Sequence, residues 1–311
     1  MQAPVLTPDA ASIARAAAIL KDGGLVAMPT ETVYGLAADA ANADAVARLY
    51  AAKGRPAFNP LIAHCASPDA AFSQGKFSDQ ARKLAAAFWP GPLTFVVDAV
   101  DATTVCALAR AGLDTLALRV PAHPAARALL EAFGGPLVAP SANPSGRISP
   151  TRAEHVASDM GDRVDLILDG GPCTEGIEST VIDARGPSPV LLRQGSVLPE
   201  DIEKVWPGLS SGGDGDKPTS PGQLLRHYAP KAKLRLDAGA PEPGEAFLGF
   251  GPVEATLNLS PSGDLVEAAA NLFAMMRTLD RSHTRIAVAP IPPGGLGAAI
   301  NDRLARAARQ D

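Results

Sequence analysis

Two stretches of the chain carry polar side chains at spacings suited to holding an anion. Lys53-Gly54-Arg55-Pro56 runs into Asn59-Pro60-Leu61-Ile62-Ala63-His64, which gathers two cations, an amide and an imidazole in one short segment. Lys53 and Arg55 stand one residue apart on a Gly/Pro-interrupted loop. Both are therefore expected to point to one side and clamp phosphate oxygens, the guanidinium bidentately. Pro140-Ser141-Ala142-Asn143-Pro144-Ser145-Gly146 follows an apolar strand and offers hydroxyl, amide and backbone N–H donors to the same ligand. The two segments read as walls of an anion pocket built without a Walker-type lysine loop, an arrangement suited to a nucleotide.

Other residues carry two readings each. Asn59 serves either as a ligand donor or as the turn residue before Pro60. His64 ends an apolar strand beside Cys65, where a histidine is more often a core group with a local hydrogen bond. Thr30-Glu31-Thr32-Val33-Tyr34-Gly35 puts hydroxyls and a carboxylate after a strand, at an edge where open α/β sheets bind small ligands, or forms a plain ST-turn. Arg119 sits inside the apolar run Leu116-Ala117-Leu118-Arg119-Val120, where a buried guanidinium requires a ligand anion or an internal acid. Gly176-Ile177-Glu178-Ser179-Thr180-Val181 closes a Gly-rich loop that allows close backbone approach to a ligand, or turns a hairpin. Arg193 closes a strand before Gln194-Gly195. Ser220-Pro221-Gly222 with Arg226-His227-Tyr228-Ala229-Pro230 sets an aromatic, cationic patch in a linker, as a lid over a site would require. No Ser-His-Asp order, H-E-x-x-H or paired-carboxylate motif stands out.

The elements that must position these residues follow from periodicity and punctuation. Thr7-Pro8-Asp9 reads as an N-cap followed by proline at the first helical position, with Ile13, Ala16, Ala17 and Leu20 on one face. Strands are expected over 25–28, 61–63, 93–97, 116–120, 137–139, 166–168, 180–183 and 190–193. Helices are expected over 42–52, 78–88, 124–133 and 199–205, with a capping box at Thr151-Arg152-Ala153-Glu154 opening another. Strands and helices mix without strict alternation, which predicts an open, twisted, mixed α/β sheet. The first turn after a strand, 29–35, is read as a βα turn and has no G-x-G-x-x-G, which argues against a dinucleotide fold.

The segment 210–222 is rich in Gly, Ser, Pro and Asp and marks a linker. The expected division is a catalytic domain over 1–208, a linker or lid over 209–231, and a small α/β domain over 232–311. In the last, strands are expected at 247–250, 256–259 and 286–289, and helices at 265–279 and 298–308. At that size its core is thin, so it is expected to lean on the first domain.

Composition narrows the function class. The chain has 311 residues, with 28 basic against 33 acidic, a net charge of −5 and 46% apolar residues. This is ample for buried cores and argues against a broad electrostatic footprint for nucleic acid. Cys65, Cys106 and Cys173 are odd in number and far apart, with no C-x-x-C pair, which disfavours structural zinc and a disulfide framework and suits a reducing cytosol. No basic n-region with an apolar run opens the chain, and no long apolar stretch occurs, so a cytoplasmic protein without membrane attachment is expected.

These segments together resemble the threonylcarbamoyl-AMP synthase family, whose catalytic unit is the YrdC-like domain. The resemblance rests on PTETVYGLAADA (29–40), KGRPAFNPLIAH (53–64), WPGPLTFVV (89–97), LALRVP (116–121), APSANPSGRISPT (139–151), GIESTVID (176–183) and LLRQG (191–195), in order. SPGQLLRHYAP (220–230) is similar to the linker of the two-domain members, and AAINDRLARAA (298–308) to the end of their C-terminal domain. The resemblance implies conversion of L-threonine, bicarbonate and ATP to threonylcarbamoyl-AMP and pyrophosphate. A separate complex would then pass the group to tRNA, so direct tRNA binding by this chain is not required. It implies that Thr32, His64, Arg119 and Ser179 hold threonine. By the same resemblance Lys53, Arg55, Asn59, Ser141, Asn143, Ser149 and Arg193 hold the nucleotide, and Tyr228 covers it from the linker. Lys53 and Arg55 would neutralise phosphate charge, and Mg2+ would arrive with ATP rather than in a protein-held metal site. Two alternatives remain. A carbamoyl transferase of the hydrogenase-maturation type would need zinc fingers and more chain. An RNA-binding module would need a broader basic and aromatic surface than net −5 and five Trp and Tyr residues supply.

Overall fold

The computed structural model describes residues 2–212 and 227–309; the patch residues Ser220, Pro221, Gly222 and Arg226 lie outside them. The first part of the chain runs β1 (Val5–Leu6), α1 (Ala10–Lys21), β2 (Val26–Met28), β3 (Gly35–Asp39), α2 (Ala43–Lys53) and β4 (Ile62–His64). It continues with α3 (Pro68–Phe72), α4 (Asp79–Phe88), β5 (Leu93–Asp98), β6 (Thr115–Arg119), α5 (Pro124–Phe133) and β7 (Leu137–Val138). Then come α6 (Ala153–Met160), β8 (Leu166–Leu168), β9 (Thr180–Asp183), β10 (Val190–Arg193), α7 (Pro199–Val205) and β11 (Ser210–Ser211). The second part contains β12 (Lys233–Arg235), β13 (Ala246–Gly249), β14 (Leu257–Asn258), α8 (Leu265–Ser282), β15 (Arg285–Val288) and α9 (Leu296–Ala308).

The first sheet has eleven strands in the order β1-β8-β2-β3-β7-β4-β6-β5-β9-β10-β11. Its pairings are mixed: β4 runs parallel to β6, β6 antiparallel to β5, and β5 parallel to β9. The expected open mixed sheet is the one observed. Central strands are buried on both faces, which suits their near-continuous apolar runs. The second sheet, β12-β15-β13-β14, is wholly parallel.

Three local readings differ from what forms. The cap of α1 is Asp9, whose carboxylate accepts from Ser12 N–H at 2.8 Å, so Thr7-Pro8 stays outside the helix. The capping box at Thr151 does not form. Helix α6 starts at Ala153, and the Thr151 N–H donates instead to His155 Nδ1 at 3.2 Å. The segment after β2 is not a βα turn, because β3 returns antiparallel to β2. Gly35-Leu36-Ala37-Ala38 is buried throughout, so no polar alternation announced it as a strand.

The second part leans on the first. Val33, Ile148 and Ile177 pack in one cluster with Leu272, Phe273 and Met276 of α8. Gly176 makes this approach possible. Its φ is +71°, and a Cβ there would lie 2.4 Å from Ala269 O and 2.5 Å from Ala270 Cα. Arg277 of α8 reaches across to the backbone carbonyls of Ser149, at 3.2 Å, and Ile148, and pairs with Asp159 at 2.7 Å.

Candidate active site

A cavity opens beside the ends of β4, β6 and β10 and is lined by Thr32, Arg55, His64, Arg119, Ser141, Glu178, Ser179, Arg193, His227 and Tyr228, among others. Eight of the twelve residues selected from sequence line it: Thr32, Arg55, His64, Arg119, Ser141, Ser179, Arg193 and Tyr228. Lys53, Asn59, Asn143 and Ser149 are buried behind its walls.

The first wall forms where α2 ends. Gly54 adopts the left-handed C-cap, φ 60°, which stops the helix directly after Lys53 and throws Arg55 forward. The two cations therefore take different carbonyl partners. Lys53 Nζ donates to Ser141 O at 2.5 Å and to Asn143 O, pinning the 141–146 turn from behind. Burial first, and then the Arg55 charge, push the Lys53 amine well below its ordinary value. Arg55 is braced by Asn59 O at 3.3 Å and Pro60 O at 3.0 Å and lines the cavity itself. Burial, reinforced by the Arg193 charge and opposed by Tyr50, brings its guanidinium down to about 10. Such crowding of cations is relieved by an arriving anion.

The second wall centres on Arg119, at the end of β6. Its Nη2 donates to Glu31 Oε1 at 2.6 Å, Nη1 to Thr32 Oγ1 at 2.9 Å and Nε to Gly91 O at 3.3 Å. The internal acid left open by the sequence is thus Glu31. A guanidinium has five N–H donors, so three bonds leave donors for a ligand. Burial alone would raise the Glu31 carboxyl, but the Arg119 charge and hydrogen bond hold it below the usual range. His64, paired in register with Arg119, lies with Nδ1 3.3 Å from Ile62 O. Burial, then the Arg119 charge, lower it to about 3, so the ring is neutral at pH 7.

The third wall joins β9, β10 and the second domain. Arg193 donates to Ser179 O and Ser179 Oγ, both at 3.0 Å, and Ser179 Oγ lies 2.8 Å from Thr94 Oγ1. Ser149 Oγ donates to Glu178 Oε1 at 2.6 Å, and Arg303 of α9 donates to Glu178 Oε2 at 3.1 Å. Tyr228 has φ +63°, stacks on Phe273 at 5.3 Å and lies edge-to-face with His227 at 4.0 Å. Among the described residues, the buried Asn59 Oδ1, Asn143 Oδ1, His227 Nδ1 and Tyr228 OH have no hydrogen-bond partner. Unmatched buried polar atoms beside a cavity are ready for a ligand's groups.

Glu31, Glu178 and Arg303 were absent from the residues selected from sequence. Glu31 and Glu178 lie inside motifs that were singled out, but their partners stand 88 and 125 residues away. A lone arginine on a helical pattern gives no local signal of burial.

A mixed sheet whose central strand ends surround a cationic cavity, with a parallel-sheet domain packed behind the wall that carries Glu178, defines an α/β protein of the YrdC-like class. Residues 18–195 match the Sua5/YciO/YrdC family, described as "Telomere recombination", and residues 197–309 match "Threonylcarbamoyl-AMP synthase, C-terminal domain". The chain is 40% identical over 331 residues to the threonylcarbamoyl-AMP synthase of Bacillus subtilis (strain 168), covering 95% of this chain and 92% of that one. It is also 40% identical over 316 residues to that of Pyrococcus abyssi (strain GE5 / Orsay), covering 94% and 92%. The crystal structure of P. abyssi Sua5 complexed with L-threonine superposes with a TM-score of 0.91, at 38% identity, covering 98% of this chain and 97% of that one. The chain belongs to the threonylcarbamoyl-AMP synthase family.

Proposed function

We propose that this chain is an L-threonylcarbamoyladenylate synthase. The threonine amine attacks bicarbonate carbon and water leaves, giving a carbamate. A carbamate oxygen then attacks the α-phosphorus of ATP in line, and pyrophosphate departs. No step needs a protein nucleophile, so the side chains work by positioning and charge neutralisation. The observation that carries the reading is the convergence of Arg55, Arg119 and Arg193 on one buried cavity, with the hydroxyls of Thr32 and Ser179 between them.

In this reading the remaining donors of Arg119 meet the threonine carboxylate, and Thr32, His64 and Ser179 frame the amino acid. Arg55 and Arg193 face the phosphates, Ser141 and Asn143 supply the turn around them, and Tyr228 covers the nucleotide. Lys53 holds that turn in place. Asn59 and Ser149 support Arg55 and Glu178 from behind. Mg2+ enters as part of the MgATP substrate. The carboxylates nearest the site, Glu31 and Glu178, are both held by arginines, and the described residues contain no group of three His, Cys, Asp or Glu placed to hold a metal. The product is passed to a separate tRNA-modifying complex in the cytoplasm. Among the described residues no helix is long and apolar enough to cross a membrane.

Pyrophosphate release from ATP and bicarbonate, compared with L-threonine, L-serine and no amino acid, tests this. Release requiring both threonine and bicarbonate is expected. Release indifferent to threonine would discard the substrate assignment, and no release would bring the RNA-binding reading forward.

A further inference from the structure

We infer that Arg303, on α9 of the second domain, is a positioning residue for the reaction in the first domain; this rests on the function proposed above. Its side chain is fully buried, yet it sits outside the cavity and touches three parts of the cavity wall. Nε donates to Glu178 Oε2 at 3.1 Å, Nη2 donates to Gln194 O at 2.7 Å next to Arg193, and the guanidinium lies 5.4 Å from the Tyr228 ring centroid. Nη1 is anchored by Asp302 at 2.8 Å, which fixes the fork on α9.

The consequence lies in charge. Arg55, Arg119 and Arg193 line the cavity together with Glu178, while Lys53 and Glu31 are buried close behind. Arg119 holds Glu31, so the state of Glu178 rests on the groups facing it. These are Arg303 from α9, Arg193 from β10, Ser149 from the 141–151 segment and His227. Among the described residues, Arg303 and Ser149 bond it directly. Ser149 spends its proton on one carboxylate oxygen and Arg303 fills the other, so the carboxylate is held ionised in one orientation. That orientation sets how much of the Arg193 charge remains available to phosphate oxygens. Arg303 at once orders the Glu178 loop, the end of β10 and the Tyr228 cover. The second domain thus takes part in the reaction geometry, beyond docking.

Arg303→Met, Arg303→Lys and Glu178→Gln in the full chain test this, with wild-type pyrophosphate release deciding the proposed function separately. Arg303→Met is expected to lower kcat roughly tenfold to a hundredfold through misplacement. It should also move the acidic limb of the pH–rate profile upward, since a carboxyl losing its cation is easier to protonate. Arg303→Lys should keep the limb in place and restore part of kcat. Combining Arg303→Met with Glu178→Gln should cost less than the two single effects added together. A merely structural role would lower the active fraction and leave the limb where it was, and that result would overturn the inference. Carboxyl 13C titration, with the Glu178 signal identified by its absence in Glu178→Gln, reads the first link without any turnover. An upward shift in Arg303→Met, or in the equally neutral Arg303→Gln should the methionine variant not fold, supports the inference. Identical titration in variant and wild type overturns it.

Discussion

Arg119 Nη2, in the wall of the cavity, stands 2.6 Å from Glu31 Oε1, with the two side chains 5% and 9% exposed. Both are also committed elsewhere, Arg119 to Thr32 and Glu31 to the Ala122 N–H at 3.1 Å. Breaking such a pair strands a buried charge. Arg119→Met is expected to remove about 3–5 kcal/mol of stability in urea denaturation at pH 7. In the folded fraction the KM for L-threonine should rise far more than that for ATP. Equal effects on the two would detach Arg119 from the amino acid.

Lys53 is bonded to two carbonyls of the turn that carries Ser141 and Asn143. Replacing it by alanine leaves both acceptors buried and unmatched, at roughly 1–3 kcal/mol each. Lys53→Ala should lower the melting temperature and reduce pyrophosphate release by about a hundredfold or more. Amide exchange over 141–146 should accelerate. A variant that loses turnover with that turn still protected would place Lys53 on the phosphates instead.

Tyr228 has an unmatched buried hydroxyl among the described residues, and its ring stacks on Phe273. Tyr228→Phe keeps the stacking and removes the orphan oxygen, so the substrate-free protein should be equally stable or slightly more so. Turnover should fall if the hydroxyl meets the nucleotide, as proposed. Differential scanning calorimetry and the pyrophosphate assay on one preparation separate the two effects.

His64 and His227 are pushed down to about 3, and His155 to about 4, in each case chiefly by burial. Unfolded, each titrates near 6.5, so below that pH the unfolded chain binds more protons and stability falls with pH. Between pH 6.5 and the carboxylate range near 4.5 the loss should approach about 1.4 kcal/mol per pH unit for each histidine. His155→Asn, away from the cavity, should flatten the slope of the urea midpoint against pH. An unchanged slope would mean the ring is protonated in the folded state.

Much of the fold was legible because its signals are local. Asn42 and Gly54 bound α2, Ser78 caps α4, and Gly134 ends α5 as their residue types dictate. The cavity-lining residues were legible in the same way, through turns that follow strands. What escaped depends on distance in sequence. Strand β3 is buried on both faces and alternates nothing, and β1 is two residues long and pairs with β8 over 160 residues further on. The cap of α6 failed because His155, a turn away, outcompeted Thr151's own motif. The hold of Lys53 on the carbonyls of Ser141 and Asn143 escaped through distance, since they lie 88 and 90 residues away. Arg303 was not selected because its carboxylate partner lies in another domain, 125 residues away.

The pairing of Glu178 with Arg303 also has a bearing on the order in which the protein is made. A ribosome delivers all eleven strands of the first sheet before it reaches α9, and Glu178 waits 125 residues for its counter-ion. Through that interval the arginines that line the cavity are already in the chain, while among the described residues the carboxylate beside them has no partner on its second oxygen. The nascent chain thus receives its cavity cations early and the arginine that holds Glu178 late.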